Sequence, residues 1–300
     1  MSSCLPTRSK TWNKPSSAGP LFYLHIPKAG GSSLLGVVES QFAASKMLVM
    51  YDVDFRAPED ISAIHSALPK KKQRQLGLIA GHFGFGAHDQ VGAQPSYFTM
   101  LREPTARVIS NYRHMRRNPR SKLRGLEHVS LDTFLDEKQW IDSDNGQVRR
   151  LSGFENEGRC VPFGECTLEM LEQAKANLTQ HFPAFGIMEQ FDLSLLLIQR
   201  NLGWRDVRYT RENNAPSHAA PLSQKTMEKL AQINALDIEL YAFAKDLFLE
   251  RVRQAGLDPS VTPSLQPLSF GFATKHKVRL RSRRLRRAAL RRLGPRFRAH

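Results

Sequence analysis

At 300 residues the chain is long enough for one large domain or two small ones, and its 41% apolar and 24% charged content suits a soluble globular protein. No apolar run approaches the roughly 18–20 residues needed to span a bilayer, and three cysteines, Cys4, Cys160 and Cys166, are too few for a disulfide scaffold and wrongly spaced for a close-paired zinc site. The net charge of +16 is unevenly spread: 12 Lys or Arg and no acid lie between Lys275 and Arg298, which leaves +4 for everything before them.

The N-terminal residues 1–19 lack the apolar core of a signal peptide and read as an extension, with a cytoplasmic location as the expectation. A strand follows over Leu21–Ile26, rich in apolar residues and stopped by Pro27. Lys28, Ala29, Gly30, Gly31, Ser32 and Ser33 come next, and then a helical apolar period over Ser33–Ala44 with Leu34, Leu35, Val37, Val38 and Phe42 inward. Strand, small-residue loop and helix start make an anion site. Glycines let backbone N–H groups approach an oxyanion, the helix N-terminus supplies unpaired donors, and Lys28 adds a full charge. The common phosphate loop places its lysine after the glycines. Here Lys28 precedes them, and no Gly-Lys pair occurs in the chain.

Short buried runs at Leu76–Ala80 and Tyr97–Leu101 read as further strands, the second feeding a helix that starts near Pro104, a residue suited to the first helical turn. Phe185–Met188 reads as a strand and Leu193–Asn201 as a helix. Val207–Tyr209 reads as a last strand, and Leu222–Gln254 as a long helix with one break. Strands alternating with helices imply a parallel α/β sheet, which binds ligands beyond the carboxyl ends of its strands. Arg102 lies at such an end and can fork two donors onto a phosphate, with Ser110 eight residues on along the following helix. Taken alone, the same residues read equally well as a surface ion pair and a solvated serine.

Together, HIPKAGGSSL (His25–Leu34) and LREPTARVISNY (Leu101–Tyr112) resemble the sulfotransferases that use 3′-phosphoadenosine 5′-phosphosulfate (PAPS), in particular the carbohydrate type that includes heparan sulfate 2-O-sulfotransferases and bacterial homologues. AGHFGFG (Ala80–Gly86), DNGQVRRLSG (Asp144–Gly153), FGIMEQFDLSL (Phe185–Leu195) and NALDIELY (Asn234–Tyr241) extend the resemblance in order along the chain. It implies a P-loop NTPase-like three-layer fold with a central parallel sheet flanked by helices. Residues 20–258 would form the sulfotransferase domain. Lys28 and the amides of Ala29–Ser33 would hold the 5′-phosphosulfate, with hydroxyls from Ser32 and Ser33, and Arg102 and Ser110 would hold the 3′-phosphate. No metal is expected.

His82 is the expected general base, since it follows a strand at the same sheet edge as Lys28 and imidazole titrates near neutral pH. Asp89 and Asp54 are alternatives, with His88 and His114 weaker and His25 packing beneath the loop. Arg149, Arg150 and Arg211–Ser217 are candidates to line the nucleotide or acceptor side, Glu189 to orient a basic group, and Phe83, Phe85 and Trp140 to stack on a sugar or to fill the core. The acceptor expected is a hydroxyl of a glycan or glycolipid. Residues 259–274 read as a linker and 275–300 as a basic tail suited to peripheral contact with an anionic membrane. A kinase-like phosphotransferase and a non-catalytic binder of anionic polymers are the competing classes. Nucleic acid is not an expected partner, because the core is only mildly basic.

Overall fold

The computed structural model describes residues 19–51, 59–117, 129–157, 160–209, 222–260 and 265. The N-terminal extension, Asp54, Arg211–Ser217 and nearly all of the linker and basic tail lie outside the described residues. The elements in order are β1 (Leu21–Leu24), α1 (Gly31–Gln41), β2 (Met47–Met50), α2 (Glu59–Ser66), α3 (Lys70–Gln75), β3 (Leu78–Gly81), β4 (Tyr97–Leu101), α4 (Pro104–Arg117), α5 (Leu131–Asp136), α6 (Gly146–Ser152), α7 (Leu168–His181), β5 (Ala184–Ile187), α8 (Phe191–Leu202), α9 (Gln224–Ile233) and α10 (Ala235–Gln254).

The five strands form one parallel sheet in the order β2-β3-β1-β4-β5, flanked by helices. Burial on both faces explains why the strands read as nearly unbroken apolar runs: every residue of β1, β3, β4 and β5 is buried. α8 and α10 lie against β5, and α7 packs on α6 and α10. A smaller apolar cluster of Val108, Tyr112, Leu131, Phe134, Leu135 and Leu230 joins α4, α5 and α9.

Two details set up the site. The pairing of β1 with β4 stops at Tyr23↔Phe98, and beyond it the Thr99 hydroxyl donates to the Leu24 carbonyl at 2.7 Å, so the two carboxyl ends splay. On its other side β1 stays in register with β3 to Leu24↔Gly81. The strand expected at Val207–Tyr209 is not formed. Val207 and Tyr209 are buried as irregular chain, Tyr209 with its ring against Phe191 and its hydroxyl on Asp192. The long C-terminal helix does break once, at Asn234, whose side chain turns back onto the Leu230 carbonyl (3.1 Å).

Candidate active site at the carboxyl edge of the sheet

The loop after β1 turns sharply. Lys28 (φ 69°) and Gly30 (φ 78°) are left-handed. Glycine accepts that conformation freely, whereas Lys28 bears a cost of about 1–2 kcal/mol. A non-glycine residue held there is the kind of strain found at functional sites. The first bond of α1 runs from the Leu34 amide to the Gly30 carbonyl (3.2 Å), which leaves the Gly31 and Ser32 amides at the open helix end. Ser32 is exposed, Ser33 and Gly30 half-buried, and Ala29 buried. A Cβ on Gly31 would fall 1.6 Å from His25 Nε2, so this glycine is required for the helix to start directly above the His25 ring. His25 therefore packs beneath the loop, as its position suggests.

Arg102, just past β4, crosses the splayed gap. Its Nη1 donates to the Lys28 carbonyl at 2.9 Å, which joins the two motifs directly. Gln147 of α6 holds the Arg102 backbone on both sides, accepting from its amide (3.0 Å) and donating to its carbonyl (2.9 Å). The buried Nε of Arg102 has no partner among the described residues, so one donor of the fork is still open. Ser110 is half-buried on α4.

The open end of α4 is closed by the protein itself. The Glu103 carboxylate accepts from the Thr105 amide (2.9 Å) and the Ala106 amide (2.6 Å). Glu189 neither ends a strand idly nor orients a basic group: it accepts the Glu103 amide (3.1 Å) and the Tyr241 hydroxyl (2.7 Å).

The electrostatics are one-sided. Burial lowers the Lys28 ammonium pKa from its ordinary value, and the guanidinium groups of Arg102 and Arg117 lower it further. His114 is lowered by burial, by Lys28 and by Arg117. Cations pressing on one another with no carboxylate among these influences form a place where an anion is strongly favoured. Arg117 lies fifteen residues from Arg102 in sequence, and its bearing on Lys28 was missed because only the packing of α4 reveals it.

His82 is the first residue after β3, half-buried, with its ring 4.8 Å from His25 and 4.9 Å from Tyr51. Asp142 bears on it: burial would raise that carboxyl, but Arg150 and Arg107, with His82 adding, hold it low. Asp142 pairs with Arg150 at 2.5 Å.

Arg149 is not at the site. It is 1% exposed, and its fork is filled by Asp144, Glu155 (2.7 Å), Val161 O (2.8 Å) and Pro162 O (2.8 Å). Arg150 is likewise buried, on Asp142 and the Gly146 carbonyl. α6 turns both inward, so neither lines an open surface. Phe83 is core, Phe85 packs among Tyr97, His88 and His181, and Trp140 stacks on Phe134. His88 and Asp89 lie away from Lys28, His88 bonded through Nδ1 to the Tyr97 hydroxyl at the amino end of β4 (2.9 Å). Cys160 and Cys166 are free thiols, Cys166 pushed up to about 12 by burial. Among the described residues no group of three or more His, Cys, Asp or Glu side chains is placed to hold a metal ion.

Comparison with known proteins gives the family. The sequence model of the galactose-3-O-sulfotransferase family matches residues 4–262. The chain belongs to that family. Curated relatives include human heparan-sulfate 6-O-sulfotransferase 2 (28% identical over 180 residues, 52% of this chain and 30% of the relative). They also include the Gallus gallus enzyme of the same name (27% over 183 residues, 52% and 44%) and human heparan-sulfate 6-O-sulfotransferase 1 (26% over 181 residues, 52% and 44%). The chain spans less than half the length of these relatives. The carbohydrate sulfotransferase family expected from the motifs is therefore the right one, though these relatives carry the 6-O rather than the 2-O designation. One expectation is corrected. The cytoplasmic location read from the N-terminal residues does not stand, because the relatives matched are heparan-sulfate sulfotransferases. Among the described residues no helix is long and apolar enough to cross a membrane.

The buried histidines carry a pH prediction. Burial lowers His25 well below the ordinary imidazole value, with His82, Arg150 and Lys28 adding, and burial also lowers His88. His25 stays neutral in the fold while the unfolded chain takes up a proton, and His88, with Asp89 working against its burial, takes up its proton less readily than in the unfolded chain. Their stabilisation is present in full above pH 6.5, the unfolded value, and is lost as pH falls toward and through their folded values. The expected slope below pH 6.5 is up to about 1.4 kcal/mol per pH unit from His25, with a smaller addition of the same sign from His88. Urea denaturation at pH 7.5 and 5.5 checks this, and equal stability at both would contradict it.

Proposed function

We propose that this chain moves a sulfuryl group from PAPS to a hydroxyl of a carbohydrate. The observation that carries the reading is the tie between Arg102 and the Lys28 carbonyl, which draws two cationic motifs into one site with unspent donors. PAPS has an anionic group at each end of its ribose, and the site has one cluster for each. The donor supplies a sulfuryl group on a good leaving phosphate, so the protein's task is to position the reactants and stabilise charge.

Lys28 and the Gly31 and Ser32 amides hold the 5′-phosphosulfate and stabilise charge on the departing phosphate oxygen. The Ala29–Ser33 loop shapes that cradle around Gly30, with hydroxyls from Ser32 and Ser33. Arg102 and Ser110 hold the 3′-phosphate, the group that separates PAPS from ATP. His82 accepts the acceptor hydroxyl proton. Asp142, paired with Arg150, keeps a negative charge near the imidazolium that forms. The relatives' names point to galactose or heparan sulfate hydroxyls as the acceptor class.

Incubation with PAPS and two acceptors, a galactose-terminated oligosaccharide and chemically desulfated heparin, should give products heavier by SO₃. Binding of ATP in preference to adenosine 3′,5′-bisphosphate would favour the phosphotransferase reading instead. A sharper prediction concerns Arg102→Ala. Losing a charge-assisted hydrogen bond worth about 1.5–3 kcal/mol should weaken bisphosphate binding about 10–100-fold, and leave AMP binding far less changed. Calorimetry with both nucleotides reads the ratio, and equal losses for the two would remove the 3′-phosphate assignment.

A further inference from the structure

Three adjacent strands end in a ring. The last paired residues of β2, β3 and β1 stand in one row, Met50, Gly81 and Leu24, and the next residue of each is Tyr51, His82 and His25. Backbone bonds extend the row, from the His25 amide to the Gly81 carbonyl (2.9 Å) and from the His82 amide to the Met50 carbonyl (3.3 Å). Residues of one row share a face of the sheet. The outer two strands are roughly 9–10 Å apart, twice the spacing of neighbours. The rings nevertheless converge, with centroids at 4.8 Å (His25–His82), 4.9 Å (Tyr51–His82) and 5.3 Å (His25–Tyr51). Tyr51 and His25 thus lean in over the middle strand and close a triangle on His82.

One corner of the triangle is fixed from behind. His25 stacks on Tyr23 at 5.3 Å and 10°, Tyr23 stacks on Phe98 at 4.7 Å and 12°, and the missing Cβ of Gly31 leaves room for the His25 ring and little else. Burial keeps His25 neutral, so it sets a ring and not a charge against His82. Charged groups bearing on this cluster from the described residues include Asp142 on His82, and Arg150 and Lys28 on His25.

Resting on the assignment of His82 as the base, we infer that Tyr51 and His25 are positioning residues for His82. Left to itself, an imidazole turns through a broad two-fold torsion about its ring bond, which exchanges the nitrogen it presents. Two ring faces at about 5 Å, one of them anchored on the core, restrict that turn. They present one nitrogen steadily toward the edge where Lys28 stands.

The test is nitrogen NMR of the histidine rings in protein labelled at histidine, with the His82 signal assigned by its loss in His82→Gln. Wild type should show His82 as one predominant tautomer. Tyr51→Leu should mix the tautomers and move the His82 titration midpoint. It should also lower kcat at least about tenfold while leaving the affinity for adenosine 3′,5′-bisphosphate unchanged. Tyr51→Phe, which keeps the ring, should restore kcat to within about twofold. If Tyr51→Leu binds no nucleotide because it fails to fold, Tyr51→Met fills the space without a ring and takes its place. An unaltered His82 tautomer and midpoint in the ring-less variant overturns the inference. Turnover retained in His82→Gln would instead overturn the base assignment, and the NMR result would still decide whether the triangle positions the imidazole.

Discussion

Lys28→Met should reduce sulfuryl transfer about 10²–10³-fold, the cost of removing one preorganised donor from a developing oxyanion. Methionine keeps the Cβ and an unbranched side chain one atom shorter, so the left-handed backbone at φ 69° carries the same strain in both proteins. The variant also loses a cation whose pKa is already lowered by burial and by Arg102 and Arg117. Its melting temperature should therefore hold or rise slightly while activity collapses, because what destabilises the free protein is what binds the anion. Nucleotide affinity should weaken by about 1.5–3 kcal/mol. Lys28→Arg should not rescue it, since a planar fork does not fit a place made for a compact point charge. Turnover within a few-fold of wild type in Lys28→Met would dismiss this lysine from the chemistry.

Asp237→Ala should cost the fold about 3–5 kcal/mol, the usual result of stripping one partner from a buried charge pair. Asp237, fully buried in the first turn of α10, accepts the Gln147 amide (3.0 Å) and the Val148 amide (2.8 Å) at the start of α6, and faces Arg107 at 3.5 Å. Arg107 is itself fully buried. Without the carboxylate, Arg107 keeps the Asp142 carbonyl (2.7 Å) as an acceptor and the Asp142 charge nearby, but loses the larger of its two charge influences. The loss reaches the site as well. The Gln147 side chain holds the Arg102 backbone, and Arg102 holds the Lys28 loop. Denaturation should show a melting temperature lower by roughly 10 °C, and calorimetry a weaker bisphosphate complex. Asp237→Asn, which keeps one acceptor oxygen, should lose less on both counts. A change below about 1 kcal/mol in the alanine variant would show that α6 docks without this anchor.

Where local chemistry and tertiary outcome agreed, the sequence was easy to read. Tyr97–Leu101 is a strand and α4 begins at Pro104, because a buried run with one threonine among four apolar residues, and a proline at the first helical position, admit few alternatives. β2 was missed. Its four apolar residues, Met47–Met50, follow an apolar helix closely, and a short buried parallel strand has no period of its own to betray it. α7 also passed unread, although Thr167 caps it by accepting the Met170 amide and Met170, Leu171, Ala174 and Leu178 mark its buried face. At the candidate site, the loop and Arg102 stood out through residue type. Tyr51, Asp142, Gln147 and Arg117 did not, because each acts through a neighbour contributed by a different element. Arg149 and Arg150 misled for the opposite reason: adjacent arginines suggest a ligand, but here they face inward against Asp144, Glu155 and Asp142.

The carboxylate of Glu103 on the first amides of α4 has a bearing on how a two-ended anion is received. A nucleotide with phosphates at both ends is nearly symmetric in charge. A fold offering two vacant helix mouths could admit it backwards, with its unreactive end beside the base. Glu103 already fills one of those mouths. Of these two mouths only that of α1 is left to receive an anion, so on the proposed function the polarity of the donor would be set before any acceptor arrives.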